Sequence, residues 1–553
     1  MKRIKKPVSI LLPIIIIIQM VAAFPVIASA SAPDPSKMTF EEYIVTSIEN
    51  FTESIDIGYY VGNNAAWARD AKADANAFAR RISKDVLDII FKTPHLFHLA
   101  VPASASTSVN WTTTRGVDTW TVRVVVAYGM TRTQYNQHKT RFDTAVNRAL
   151  TYARAAENDF EKALLLHDYI VLNTAYDKEN LEHAIKTGMK EVLNPLSHTA
   201  FGALVNGLAV CDGYARAYMH LLNLVGVESR LVTGNLKGVS HIWNIVRIDN
   251  RWYHVDTTAN DPLFDGVFDL HGAVSHRYFL LSDAGLRRQL DNNGRQSHTG
   301  WSVSGVRLNA TNFDNAWFRE INTAIIKLGD FYYWVEATLL TRDNVRTNGQ
   351  LTANNRLRRY NIAARNSQTV HSFAAVWFTN GTENNNNISF TTSSYSRIAV
   401  YNGRLYFNTA KEILSYNPAT DKVETVVSPA NMGGTGNRFI FGLTISGRVI
   451  SYTIKTQAGM ADSFARFSIT PQANSTAIRL DRTTHTIKNG ASFDLVPTLT
   501  PAASKDFIHW VSSDTSIATV NANGRVTAVG RGTVTITAIT ETNRRRECVV
   551  TVT

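Results

Sequence analysis

The spacing of apolar residues changes character along the chain, and each change marks a different kind of element. Residues 65–90 carry apolar side chains at helical intervals without an intervening Gly or Pro, and 120–128 (WTVRVVVAY) is a β-branched run predicting a strand. The stretch 33–134 therefore reads as mixed α/β. From 133 to 175 the spacing is helical, with a break near Ala156-Glu157-Asn158. Asn158 with Glu161 three residues later predicts a capping box, and Phe160, Leu164, His167 and Val171 then share a face. A further helix is predicted over 212–224, with Gly226 as its stop. Two strands, 240–248 and 251–257, follow, joined at Asp249-Asn250, where both residues tolerate positive φ and predict a tight hairpin.

Beyond 300 the pattern becomes one of short strands. Residues 331–334 lead to 357–361, 398–407 lead to 413–418, and 443–454 starts a third unit, a weak repetition of propeller-blade type over 300–470. Asn384 to Asn387 reads as a solvated polar loop. From 476 the residues alternate strictly between turns, as in an all-β sandwich whose last strands fall at 538–540 and 549–552.

Composition narrows the chemistry. The chain has 553 residues with 44% hydrophobic and 18% charged, the balance of a folded, multidomain protein. Two cysteines exclude a disulfide-stapled scaffold and a Cys-based zinc cluster. There is no HExxH, and the Gly433-Gly434-Thr435-Gly436 run lacks the lysine of a phosphate loop, so neither a zinc protease nor a P-loop NTPase is expected. No metal or cofactor is expected.

The N-terminus sets the compartment. Lys2, Arg3, Lys5 and Lys6 precede an apolar stretch over 8–24, and Ala28-Ser29-Ala30 and Ala30-Ser31-Ala32 offer small residues at cleavage spacing. Residues 1–32 are thus expected to be a secretory signal, leaving a secreted or surface-associated chain with no stable membrane span. Its removal lowers the formal charge from +12 to +8. That surplus suits loose adhesion to anionic envelope polymers and is too dilute for nucleic acid.

Candidate chemistry centres on Cys211. A thiol at a helix start meets the positive end of the helix dipole and unpaired N–H groups, which favour the nucleophilic thiolate. If the hairpin turn has two or four residues, Ile248 faces Arg251, and Asp256 lies opposite Trp243, one diagonal step from His241 on the same face. An odd-length turn would separate them. A carboxylate beside an imidazole fixes the tautomer of a general base, so Cys211, His241 and Asp256 carry the logic of thiol acyl transfer. The Cys211 N–H is a natural oxyanion donor, with Asn206 and several tryptophans as candidates for the second. His254 and His167 are expected to be structural, and Cys548 a buried, inert thiol.

The run 200–215, AFGALVNGLAVCDGYA, resembles the active-site segment of bacterial transglutaminase-like proteins. His241-Ile242-Trp243-Asn244 resembles their His-x-Trp-Asn strand, Trp252 to Thr257 their Asp strand, and His167-Asp168-Tyr169 with Asn173 and Tyr176-Asp177 the preceding helix. The resemblance covers 135–285 and implies a papain-like α+β core with Cys211 as nucleophile, His241 as base and acid, and Asp256 as orienter. Two departures stand out: no Trp follows Thr258, and His198 occupies a position often held by Tyr. Residues 510–538, with Trp510, Gly524 and Gly532, resemble the group 2 bacterial Ig-like domain, which covers 476–553 and implies surface display or adhesion. Together these imply an exported enzyme acting on protein or cell-wall peptide amides, as transglutaminase, protease or amidase. The rival from another class is a catalytically silent surface-binding protein.

Overall fold

The computed structural model describes residues 33–153, 156–188, 191–261, 274–291, 293–336, 350–378, 396–428, 438–446, 449–456, 463–468, 475–502, 508–520, 524–540 and 544–553. The signal segment, the Gly433 run and the Asn384–Asn387 loop lie outside the described residues. The chain divides into two compact units, Met1–Ile89 with Ala105–Val126, and Ile90–Ser104 with Ala127–Thr553.

The first unit carries α1 (Phe40–Glu49), β1 (Ser54–Asp56), α2 (Gly58–Gly62), α3 (Ala65–Ala73), all but the last three residues of α4 (Ala75–Lys92), β2 (Ala105–Thr114) and β3 (Val117–Val126), with sheet order β1-β3-β2. The single helix expected over 65–90 is two helices. Asp74 adopts an extended backbone, and its carboxylate accepts from Ala77 N at 2.9 Å, so a good N-cap residue restarts the helix in mid-run. Strand β2 carries no strand signal in its sequence, because its Ser/Thr-rich residues are largely exposed and lack apolar alternation.

In the second unit α5 (Arg132–Tyr152) and α6 (Asp159–Asn173) are separated where the sequence breaks. Half of the expected capping box forms. Asn158 accepts from Glu161 N at 2.9 Å, but the Glu161 carboxylate accepts from Glu157 N, Lys327 Nζ and Tyr332 OH instead of closing the box. Buried, it serves tertiary structure rather than the helix end.

Next come β4 (Ala175–Tyr176), α7 (Lys178–Lys186), a 3-10 turn at Pro195–His198, a π-helical turn at Gly202–Asn206, β5 (Leu208–Ala209) and α8 (Cys211–Leu224). Strands β6 (Ser229–Leu236), β7 (Val239–Ile248), β8 (Arg251–Val255) and β9 (Phe279–Leu281), helix α9 (Asp283–Arg287) and β10 (His298–Thr299) complete the core. The sheet runs β10-β6-β7-β8-β9, antiparallel throughout. Helix α8 is held to α6 by Tyr218 OH donating to Ala163 O at 2.8 Å, and to β7 by Asn244 Nδ2 donating to Ala215 O at 2.9 Å.

The β-rich stretch forms three antiparallel meanders. They are β11 (Ile326–Leu328), β12 (Phe331–Glu336), β13 (Gln350–Asn361) and β14 (Asn366–Phe378); β15 (Ile398–Tyr401), β16 (Arg404–Asn408), β17 (Ile413–Asn417) and β18 (Lys422–Val427); and β19 (Arg438–Ser446), β20 (Val449–Thr456) and β21 (Ser463–Ser468). One apolar cluster joins Tyr333, Leu357, Leu405, Phe407 and Tyr416 to Val171 of α6.

The C-terminal strands are β22 (Ala477–Leu480), β23 (Thr484–Ile487), β24 (Ser492–Asp494), β25 (Pro497–Thr500), β26 (Ile508–Ser512), β27 (Ala518–Val520), β28 (Arg525–Ala528), β29 (Gly532–Thr540) and β30 (Arg545–Val552). They form sheets β23-β30-β29-β26, β24-β28-β27 and β22-β25 around Trp510, Ile536, Cys548 and Val550.

Candidate active site

Cys211 is the first residue of α8, and no side chain caps that end. Its approach is fixed by β5, which pairs in parallel with β4 so that Tyr176 stands beside Ala209, and by Val210 N donating to Ser197 O at 3.0 Å. Glycine is required at 213, because a Cβ there would strike the Ser197 carbonyl of the 3-10 turn. The thiol is half-buried.

The hairpin turns on Asp249 and Asn250, with φ of 47° and 61°, which is the two-residue turn of paired left-handed residues. Ile248 pairs with Arg251 and Asn244 with Val255, so the register is the one that puts 241 and 256 on one face. His241 Nε2 donates to Asp256 Oδ2 at 2.7 Å, and Asp256 Oδ1 accepts from Ala259 N at 3.0 Å. Burial of His241 opposes its charged form, but the Asp256 charge and hydrogen bond, aided by hydrogen bonding and charge from Cys211, raise its pKa to about 10. Burial likewise works against ionised Asp256, and the His241 charge with hydrogen bonds from His241 and His298 still drive that carboxyl far below the usual range.

His298 is the member that sequence reasoning missed. Its Nε2 lies 2.9 Å from the same Asp256 Oδ2, and its Nδ1 lies 3.0 Å from Ser297 Oγ. The ring arrives on β10, through pairing of His298 with Leu236 across the sheet edge. No local motif around 298 announces it.

His254 is structural here. Its Nδ1 accepts from Trp243 Nε1 at 3.0 Å and its Nε2 donates to Asp283 Oδ1 at 2.9 Å, which fixes a neutral tautomer. Burial lowers its pKa. Trp243 in turn stacks on His241, with ring centres 5.9 Å apart. Glycine at 234 makes room for that indole. The N–H groups of Trp243 and Trp301 are both engaged, the latter by Asp283 Oδ1 at 2.9 Å, so neither serves as the second oxyanion donor. Asn206 is exposed at the end of the π-helical turn. His198 links Asp212, at 3.0 Å through Nδ1, to Asn180, at 3.1 Å through Nε2.

His167 belongs to a second buried cluster. Asp168 Oδ1 accepts from His167 Nδ1 at 2.8 Å and from His276 Nε2 at 3.0 Å, while Asp168 Oδ2 accepts from Ile325 N at 2.7 Å. Asn260 connects the clusters: its Nδ2 donates to His167 Nε2 at 2.9 Å, and its backbone N donates to Asp256 O at 3.1 Å. Among the described residues, His241, Asp256 and His298, and His167, Asp168 and His276, bring three donor atoms within 4.8 Å, the sets that could hold a cation. Their contacts of 2.7–3.0 Å are hydrogen-bond lengths; ligands of a tetrahedral zinc sit about 3.3 Å apart.

A half-buried thiol on a helix start, packed on a hairpin that carries His and Asp in contact, is the papain-like arrangement. Residues 146–257 match the Transglutaminase-like superfamily, and 474–550 match the bacterial Ig-like domain (group 2). The core is a transglutaminase-like domain. His298 lies outside the matched segment. Human kyphoscoliosis peptidase is 28% identical over 88 residues, which cover 14% of this chain and only 13% of that relative. A crystal structure of a TGase shares 16% identity with a TM-score of 0.21, over 31% of this chain and 48% of its own. An intimin mutant from EHEC O157:H7 shares 23% identity with a TM-score of 0.12, over 13% of this chain and 45% of its own.

Proposed function

We propose that the protein is an exported thiol acyl-transfer enzyme acting on protein or peptide amides, with Cys211, His241 and Asp256 as its triad. The observation that carries this reading is the tautomer. His241 spends Nε2–H on Asp256, which leaves Nδ1 to face the Cys211 thiol. The Sγ proton passes to His241 Nδ1, and the thiolate attacks the carbonyl carbon. As the C–N bond breaks, Nδ1–H protonates the departing nitrogen, leaving a thioester on Sγ. Water or a primary amine then adds, giving its proton back to Nδ1, and the thiolate leaves. The Cys211 N–H donates to the oxyanion.

Export rests on the basic and apolar segments of 1–32 and on the Ig-like tail. No helix among the described residues is long and apolar enough to cross a membrane. The three meanders are read as blade-like units that present substrate or an anionic envelope polymer. A silent binding protein is disfavoured because the His–Asp pair beside the thiol is intact.

The test incubates wild type, Cys211→Ala and His241→Ala with a panel of proteins and cell-wall peptides, with and without a labelled primary amine. Mass spectrometry separates amine incorporation, deamidation and chain cleavage. Each variant should lose about 10⁴-fold or more of the turnover, and the double variant no more than either alone. A wild-type protein giving no Cys211-dependent product across the panel, with an inert thiol, would overturn the enzyme reading.

A further inference from the structure

We infer that His298 is a positioning residue that tempers the hold of Asp256 on His241, so that His241 can release its proton to the leaving group. The inference rests on the triad reading above, and the observation behind it is geometric. One oxygen, Asp256 Oδ2, lies within hydrogen-bond distance of two imidazoles, 2.7 Å from His241 Nε2 and 2.9 Å from His298 Nε2. The other oxygen is already fixed by Ala259 N. The carboxylate therefore keeps its place without His298, and what His298 adds is a second donor on the atom that grips His241.

The groups around this pair are few. His298 sits against Trp243, Tyr278 and His241, with ring centres at 5.2, 4.9 and 6.0 Å. His254 lies within electrostatic reach of His298. On the thiol side, Tyr176 feels Cys211, Asp212 and Asp256. Ser297 Oγ meets His298 Nδ1, and with Oγ–H donating there His298 is neutral and offers Nε2–H to the carboxylate.

A buried carboxylate shared between two N–H donors accepts less strongly from each than from one alone. With His298 removed, Asp256 would bind the His241 imidazolium more tightly. The thiolate–imidazolium pair would form at lower pH, and the proton on Nδ1 would be given up more slowly when the C–N bond breaks. Reactivity of the thiol and turnover should thus move in opposite directions, which loss of packing alone would not produce.

The experiment uses the full-length protein and its His298→Phe, His298→Met and His298→Gln variants. Iodoacetamide alkylation of Cys211 is followed by peptide mapping across a pH series, alongside thermal unfolding and turnover on a substrate found by the panel. His298→Phe, which keeps a ring between Trp243 and Tyr278, should shift the acidic limb of alkylation downward by on the order of one pH unit, roughly tenfold in rate on the limb. Turnover should fall while KM holds. His298→Gln restores an N–H and should return the limb toward wild type. His298→Met, matching Gln in shape without the donor, should behave like Phe, and it decides the matter if the Phe variant does not fold. An unshifted limb, or one moved to higher pH, in the donor-free variants overturns the role of His298 while leaving the triad standing. A wild-type Cys211 that alkylates no faster than an ordinary thiol would instead overturn the triad reading itself.

Discussion

The two buried clusters have the same parts in nearly the same wiring. In each, one carboxylate oxygen takes N–H groups from two imidazoles and the other takes a backbone N–H: His241, His298 and Ala259 on Asp256, and His167, His276 and Ile325 on Asp168. They differ in what the far side of each ring meets. In the Asp168 cluster His167 Nε2 accepts from Asn260, and His276 Nδ1 lies 2.9 Å from Ile321 O, a carbonyl that only accepts. Every nitrogen is committed, and both nitrogens of His276 face acceptors, Asp168 Oδ1 and Ile321 O. In the Asp256 cluster the far nitrogen of His241 meets a thiol, which can give and take a proton. On the proposed function, identical residues thus make a strut in one place and an acid–base device in the other, and the ring's second partner decides which.

The largest effect that would break this comparison is on stability. Asp168→Asn removes a fully buried carboxylate that holds two imidazoles and the Ile325 N–H, so unfolding free energy should fall by about 3–5 kcal/mol. Asp256→Asn forfeits the stabilisation of the His241 pair but leaves two imidazoles that can rest neutral, so the protein should stay folded and lose less stability than Asp168→Asn while turnover falls by about 10²–10⁴-fold. Denaturant unfolding of both variants separates the cases. An Asp168→Asn protein as stable as wild type would remove the structural half of the contrast.

A smaller effect is expected with pH. Burial holds His167 below its ordinary value despite Asp168, lowers His254, and lowers His220 to about 4. Depressed folded values mean that the unfolded chain takes up protons first, so stability falls as pH drops below about 6.5. Asp168 and Asp256, also depressed, extend that loss at lower pH. His241 has the opposite sign. Its contribution is complete below about 6.5 and disappears as pH rises through about 10. Thermal midpoints across pH should therefore fall on both flanks, and in His241→Ala the alkaline decline should be shallower.

How much of this was legible follows from which signals are local. Asp249 and Asn250 both tolerate positive φ, so a two-residue turn was legible there, and its even length is what brings His241 to Asp256. Cys211 is legible because helix periodicity begins at it. His298 and His276 are not, because a short strand 42 residues after Asp256 and a stretch at 274–276 with no helix or strand deliver them, and only tertiary pairing sets their partners. Glu161 carries a capping signature, yet Lys327 and Tyr332 take its carboxylate. Asp74 sits in a helical run, and its own side chain restarts the helix. In each miss a long-range or side-chain partner outbid the local pattern.

The finest test addresses the link between the clusters. Asn260 gives Nδ2–H to His167 and takes Tyr278 N–H on Oδ1 at 2.9 Å, while its backbone holds Asp256 O and accepts from Ser275 N. Asn260→Ala leaves the backbone bonds and strips both side-chain ones, orphaning a buried ring nitrogen and a buried amide. The expected cost is about 1–3 kcal/mol of stability. His167 Nε2 would then be free to take a proton in the folded state, so the destabilisation relative to wild type should shrink as pH falls below about 6.5. Because the backbone of 256–260 stays anchored, Cys211 alkylation should keep its wild-type pH limb. A shifted limb would mean that the strut tunes the triad as well as supporting it, and the two clusters would have to be treated as one titrating network.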